Sequence, residues 1–156
     1  MMQYKNNVLK GLLAAALLAI TIVPATTFAA DNAGMAQVQQ PKMKMKVIFQ
    51  VSDADPKKWT LTLNNVKNFQ DAVGKENTVL EIVAYGPGIN MLKFESEVGS
   101  RVKDAIDSGV KVVACENTLT AQKLTHNDML PEIGYVPGGV IELAQKQYEG
   151  YAYIRP

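Results

Sequence analysis

Residues 109–118 read GVKVVACENT, an apolar and β-branched run that ends at Cys115 and passes directly into a polar segment. A short apolar run between turn residues is typical of a strand that is covered on both faces. The run predicts a strand over residues 110–115 and a short helix that begins near Asn117 or Thr118. A strand followed by a helix is the repeating unit of a parallel α/β sheet.

The same unit occurs twice before this segment. The apolar runs KVIFQV (residues 46–51) and TVLEIVAY (residues 78–85) are each followed by an amphipathic stretch. After the first run, Asp55 and Pro56 predict a helix start, because aspartate accepts a backbone N–H at the N-cap and proline is tolerated in the first turn. Helical spacing continues from there to Gly74, which is predicted to end the helix.

A second helix is predicted to follow the glycine-rich turn at residues 86–88 and to end at Gly109. Its apolar face is predicted to hold Leu92, Gly99, Val102 and Ile106.

A fourth unit follows, with a short strand near residues 135–137 and a helix over residues 138–148. The residues of that helix predicted to face the sheet are Val140, Ile141, Ala144 and Tyr148. The final segment, YAYIRP, alternates in polarity and predicts a strand at or near a sheet edge. Together the units predict an α/β fold, a three-layer α/β/α sandwich with a mostly parallel sheet of about five strands.

The first 29 residues resemble a secretory signal peptide. Lys5 and Lys10 precede an apolar run at residues 11–23, and small residues allow cleavage after Ala29. The run is shorter than the roughly 20 apolar residues that span a bilayer. Residues 30–44 are predicted to be a flexible lead-in and residues 45–156 a single domain. We therefore expect a periplasmic or otherwise exported protein with no membrane anchor after cleavage.

Charge and motifs exclude several function classes. The leader removes two of the 16 basic residues and none of the 15 acidic residues, which leaves a net charge of −1. A neutral balance gives no electrostatic reason to expect nucleic-acid binding. The sequence has no metal-ligand spacing, Ser/His/Asp motif or nucleotide fingerprint, so we expect neither a metal nor a cofactor. A metal- or flavin-binding electron carrier would lack its ligands and a phosphate loop.

Ligands of open parallel sheets gather beyond the carboxyl ends of the strands. The candidate binding residues at this edge are Asp53, Tyr85, Gly86, Asn117, Thr118 and Pro137. Asp53 is equally suited to a turn before the first helix. The glycine turns at residues 86–88 and 138–139 could bring backbone amides close to an anion, but neither matches a phosphate-binding motif. They are interpreted as turns.

Cys115 is the only cysteine and the candidate catalytic residue. The amides and dipole of a helix N-terminus would favour its thiolate, whereas a buried cysteine at the same place would act as a small apolar side chain. His126 is the only histidine. It could activate Cys115 as the base of a Cys/His pair, or it could be a solvated loop side chain.

Several segments of the chain resemble the DsrE/DsrF-like family, and most closely its exported and poorly characterised branch. These segments are VSD (51–53), WTLTLNNVKNF (59–69), EIVAYGPG (81–88), GVKVVACENT (109–118) and VPGGVIELAQKQYEGYAYIRP (136–156). The resemblance implies a three-layer, flavodoxin-like fold and homo-oligomers such as trimers or hexamers.

In the sulfur-relay members of the wider family, a cysteine at the end of the corresponding strand carries sulfur as a persulfide, and Cys115 matches that position. Those members are cytoplasmic, and an arginine-glycine-rich segment often follows their cysteine. Here TLTAQKLT stands in its place. The resemblance predicts an exported sulfur or thiol carrier that exchanges sulfur with a donor or acceptor protein. The alternative is a non-catalytic oligomeric binding or structural module in which Cys115 is buried.

Overall fold

The computed structural model describes residues 43–156. The predicted signal peptide and all but the last two residues of the predicted lead-in lie outside this range. Within it the strands are β1 Met45–Val51, β2 Thr78–Ala84, β3 Lys111–Cys115, β4 Gly134–Val136 and β5 Ala152–Ile154. The α-helices are α1 Pro56–Val73, α2 Gly99–Asp107, α3 Glu116–Gln122 and α4 Gly139–Tyr148. Short 3₁₀ helices span Lys75–Asn77, Gly86–Leu92 and His126–Asp128.

The strands of the described range form one parallel sheet in the order β4-β3-β2-β1-β5. The chain steps in one direction from β1 to β4 and then returns past β1 to add β5 at the far edge. Because crossovers between parallel strands are right-handed, α1, α2 and α3 cover one face and α4 covers the other. The structure confirms the predicted α/β fold and the terminal edge strand.

Each face of the sheet has its own core. The larger core lies under α1, α2 and α3 and includes Phe49, Ile82, Ala114, Leu63, Val102 and Leu119. The smaller core lies under α4 and consists of Ile48, Val83, Val113, Val136 and Leu143. Adjacent strand residues point to opposite faces, so a strand buried on both sides must be apolar at nearly every position. This explains the continuous apolar runs in the sequence.

The predicted start of α1 is confirmed. The Asp55 carboxylate accepts the N–H of Lys57 at 2.9 Å, and Pro56 is the first helical residue. The indole N–H of Trp59 donates to the carbonyl oxygen of Asp53 at 2.7 Å, which fixes the loop between β1 and α1. Gly74 ends the helix in the left-handed region, with φ of 90°.

The prediction for the second helix was wrong in its first half. Gly86–Leu92 forms a 3₁₀ helix, and α2 begins only at Gly99. The intervening backbone pairs with a distant segment, because Phe94 N–H donates to Asp128 O at 2.9 Å and Leu130 N–H donates to Leu92 O at 2.8 Å. This long-range pairing replaces the helical hydrogen bonds that local spacing predicted.

The prediction for the inward face of α4 was also wrong. Val140, Ile141 and Tyr148 are exposed by 63%, 58% and 96%, and Ala144 is exposed as well. Leu143 faces the sheet instead and is 5% exposed. The helix is therefore rotated so that its apolar stripe points outward.

Candidate functional site

Cys115 lies at the carboxyl end of β3, where the strand becomes α3. It is the N-cap residue of that helix, with extended backbone angles. Ala114 belongs to the larger core and Val113 to the smaller core, so strand alternation directs the Cys115 side chain to the α4 face. The residue is 4% exposed. The sulfur is thus enclosed between the sheet and the start of α4.

The pKa of the Cys115 thiol responds to four hydrogen-bond donors near the sulfur. They are the hydroxyl group of Thr118 and the backbone N–H groups of Gly139, Thr118 and Asn117, the last of which also donates to the Pro137 carbonyl oxygen. Burial by itself raises the pKa of the Cys115 thiol, but these hydrogen bonds together outweigh it and place the pKa below its ordinary value. Donors aimed at a sulfur favour its anion, because they stabilise the charged form and not the neutral one. The lowered pKa favours the thiolate form of Cys115.

Thr118 connects the sulfur to the loop after β2. Its hydroxyl oxygen accepts the N–H of Gly86 at 2.9 Å, which leaves the hydroxyl proton free to point at Cys115. Gly86 has φ of 53°, in the left-handed region that favours glycine. The Gln122 side chain donates to the Gly86 carbonyl oxygen at 3.2 Å and holds the loop from the other side. Two predicted binding residues, Gly86 and Thr118, are therefore hydrogen-bonded to each other, and Thr118 is the one that acts on the Cys115 thiol.

The fourth donor comes from the turn between β4 and α4. A side chain at Gly139 would place its Cβ 2.9 Å from the Cβ of Tyr85, so only glycine allows the helix to start this close to β2. The N–H of Asn117 donates to the carbonyl oxygen of Pro137 at 3.2 Å and joins this turn to the start of α3. Interpreting residues 138–139 as a turn only was incomplete, because the Gly139 amide faces the thiol. Two adjacent glycines between a strand and a helix were the available signal.

Tyr85 lies between the sulfur and a second polar cluster. Its pKa is raised mainly by burial, and its neighbours are Tyr153, Arg155, Ser52 and Asp53. The Gln50 side chain donates to the Ser52 hydroxyl at 3.0 Å and accepts from the Tyr153 hydroxyl.

Asp53 belongs to this second cluster. Its carboxylate lies 3.5 Å from the Arg155 guanidinium. Asp53 therefore ties the C-terminal segment to β1 and is not among the residues that hydrogen-bond to Cys115.

His126 contacts the neighbour of Cys115 and not Cys115 itself. Its Nε2 lies 2.9 Å from a carboxylate oxygen of Glu116, and its ring stacks on Tyr135 with the centroids 3.7 Å apart. The hydrogen bonds that act on the Cys115 thiol come from other residues. The structure therefore pairs His126 with Glu116 and not with Cys115.

The described residues contain neither a metal-binding cluster nor a membrane-spanning helix. Across residues 43–156, no three His, Cys, Asp or Glu side chains are placed to hold a metal ion together. None of the helices in that range combines the length and the apolar character needed to cross a bilayer.

The chain is similar to a known protein family and to several solved structures. The model of the DsrE/DsrF-like family matches residues 45–156. The protein of unknown function MTH1491 from Methanobacterium thermoautotrophicum has a similar structure, with 34% identity, a TM-score of 0.69, and coverage of 72% of this chain and 100% of that chain.

Two further solved structures are similar at lower identity and share the fold. The conserved protein of unknown function BT1422 from Bacteroides thetaiotaomicron is 13% identical, with a TM-score of 0.57 and coverage of 71% of this chain and 94% of its own. The ychN protein from E. coli is 9% identical, with a TM-score of 0.55 and coverage of 73% of this chain and 99% of its own. No curated protein matches. On the strength of the match over residues 45–156, the chain belongs to the DsrE/DsrF-like family.

Proposed function

We propose that this protein is an exported sulfur or thiol carrier in which Cys115 holds sulfur as a persulfide. The observation that carries the proposal is the position of Cys115 at the carboxyl end of β3 and the N-terminus of α3, where neighbouring donors lower the pKa of its thiol. A buried cysteine that only packs in a core needs no such donors, because its neutral thiol is a weak hydrogen-bonding group. A sulfur carrier needs a nucleophilic thiolate, and these donors favour one.

The transfer step follows from thiolate chemistry. The Cys115 thiolate attacks the outer sulfur of a donor persulfide, R–S–SH. A new S–S bond forms at Cys115, the S–S bond of the donor breaks, and the donor leaves as R–S⁻. Cys115 then carries –S–SH, and no electrons are gained or lost overall. Delivery is the reverse step, in which an acceptor thiolate attacks the outer sulfur and the Cys115 thiolate leaves.

Export, partners and assembly are part of the same proposal. The signal-like leader supports a periplasmic or otherwise exported location, where a sulfur-donating or sulfur-accepting protein would meet Cys115. Assembly into trimers or hexamers is the expectation that follows from the likeness to the DsrE/DsrF-like family. Native mass spectrometry of the mature protein tests the assembly, and a monomer at micromolar concentration would contradict it.

The function is tested by loading the mature protein with sulfur. The protein is incubated with a low-molecular-weight persulfide, freed of excess donor and analysed by intact-mass spectrometry. We expect one added sulfur, about 32 Da, that a thiol reductant removes. Cys115→Ser should gain no mass. A wild-type protein that stays unmodified after prolonged incubation would contradict the carrier function.

A second candidate function rests on the burial of the sulfur. Cys115 is 4% exposed, which also fits a non-catalytic binding or structural module. In that case the thiol would react with alkylating reagents only after denaturation, and Cys115→Ser would leave binding and assembly unchanged. Alkylation of the native protein therefore separates the two candidates.

A further inference from the structure

Sulfur transfer requires direct contact between Cys115 and its reaction partner, yet the residue is 4% exposed. Some part of its surroundings must move. The start of α3 is covalently continuous with Cys115, and Leu119 of that helix is buried in the larger core. The loop at Gly86 is fixed by Thr118 and Gln122. The remaining element over the sulfur is the start of α4.

Helix α4 has few apolar contacts with the sheet. Its buried residues are Gly139 and Leu143 alone, and its apolar stripe points to solvent. Among the α-helices of the described residues, α4 by itself covers this face of the sheet, packing on β1, β2 and β5. Elements with little buried apolar surface open at a lower free-energy cost than the core does.

Charged groups supply much of the remaining contact. We call Glu81, Lys111, Glu142 and Lys146 the ionic cluster. The Lys111 ammonium lies 3.2 Å from Glu81 of β2 and 3.4 Å from Glu142 of α4, so it joins the helix to the sheet. Lys146 lies 3.9 Å from Glu142. Burial raises the pKa of Glu81 to about 6, and removing Lys111 would leave two acidic side chains facing each other.

The two ends of α4 differ in how they are attached. At the C-terminal end, the Lys46 ammonium donates to the Glu149 carbonyl oxygen at 3.2 Å, and Lys146 lies over the Tyr151 ring. At the N-terminal end, the chain enters the helix through Gly138 and Gly139, which lack side chains that would restrict rotation. Opening of the N-terminal end breaks the hydrogen bond from Asn117 N–H to Pro137 O and parts Gly139 from Tyr85, while the C-terminal end stays in place.

We propose that α4 is a hinged cover over Cys115, closed by the ionic cluster and opening at Gly138 and Gly139 to admit the reaction partner. When the cover is closed, the Gly139 amide contacts the sulfur and stabilises the thiolate. When it is open, the sulfur is reachable but has lost one donor. The inference builds on the proposed function by explaining access to Cys115, but its test involves no sulfur transfer.

The test compares Lys111→Met with Lys103→Met. Lys103 also pairs with two acidic side chains, Asp107 and Glu132, but near α2 on the opposite face of the sheet. We expect Lys111→Met to raise the alkylation rate of Cys115 about tenfold and to speed hydrogen exchange of the α4 amides similarly. Alkylation is measured above the thiol pKa, so that the rate reports access. Lys103→Met should change neither rate by more than about twofold.

Two outcomes would overturn the cover. One is equal alkylation of both variants once global stability, measured by urea unfolding, is taken into account. The other needs only the wild-type protein, in case Lys111→Met does not fold. If the α4 amides exchange no faster than those of β2 and β3, the helix opens only on global unfolding and is no cover. If the alkylation rates are as expected but the protein takes up no persulfide sulfur, the carrier function is rejected and the cover is not.

Discussion

The backbone N–H of Gly139, the first residue of α4, lowers the pKa of the Cys115 thiol at the end of β3. The contact joins two strand-to-helix junctions, since the other donors come from the start of α3. The groups that act on the sulfur thus come from the starts of both α3 and α4, which lie on opposite faces of the sheet. The pKa of the Cys115 thiol therefore depends on the position of α4 as well as on the start of α3.

Thr118→Val should weaken the nucleophile without enlarging or shrinking the side chain. The change removes the hydroxyl donor to Cys115 and the acceptor for the Gly86 N–H. A hydrogen bond to a charged group contributes about 1.5–3 kcal/mol, so we expect alkylation at neutral pH to slow about tenfold or more. Thr118→Ser keeps the hydroxyl and should react nearly as the wild type does. Equal alkylation rates for Thr118→Val and Thr118→Ser would contradict the role of the hydroxyl.

Gly139→Ala should destabilise the fold. The new Cβ would lie 2.9 Å from Tyr85 Cβ, too close without displacing α4 or the tyrosine. We expect a loss of about 1–3 kcal/mol in the free energy of unfolding, measured in urea. Gly99→Ala is the matched control, because its Cβ meets only the tip of Leu130 at 3.2 Å and the flexible side chain can yield. A similar loss in both variants would show that the Tyr85 contact is not the cause.

Glu81→Gln should change how stability depends on pH. Burial raises the pKa of Glu81 from 4.5 to about 6, with Lys111, Glu142 and Lys146 facing it. The folded chain holds this proton more tightly than the unfolded chain, so the stabilisation is full below pH 4.5 and is lost as the pH rises through about 6.

The glutamine variant cannot lose that proton. Its stability relative to the wild type should therefore rise by about 2 kcal/mol between pH 4.5 and pH 7, measured by urea unfolding at each pH. Parallel stability curves for the two proteins would show that Glu81 titrates normally in the fold.

His126→Ala should leave the reactivity of Cys115 unchanged. The ring pairs with Glu116 and stacks on Tyr135, and the donors at the sulfur come from elsewhere. We expect the alkylation rate and its pH profile to stay within about twofold of the wild type, because no direct contact is lost. A tenfold slower reaction near neutral pH would instead show that a Cys/His pair activates the thiol.

Much of the architecture could be predicted because the local and global signals agree. The continuous apolar runs at β1, β2 and β3 predict strands buried on two faces, and the side chain of Asp55 caps α1 as its position before Pro56 indicates. The position of the strand ends predicted Thr118 and Gly86 as binding residues, and the structure joins these two residues by a hydrogen bond. Both contribute to the contacts around Cys115.

The errors arose where distant residues decide the structure. The pairing of Phe94 with Asp128 removes part of the second predicted helix, and no local periodicity reports it. In α4, helical spacing favoured the apolar stripe as the inward face. The buried Glu81 and the exposed Lys111 of the sheet instead form an ionic contact with Glu142, so the polar side of the helix turns inward.

The measurement that tests the central claim most directly is the pKa of Cys115. It can be taken from the pH dependence of alkylation of the folded protein, with Thr118→Val measured alongside. The neighbouring donors predict that the Cys115 pKa lies below its ordinary value, and that it is higher in Thr118→Val. A wild-type pKa at or above the ordinary value would mean that burial dominates, and it would contradict a thiolate at this site.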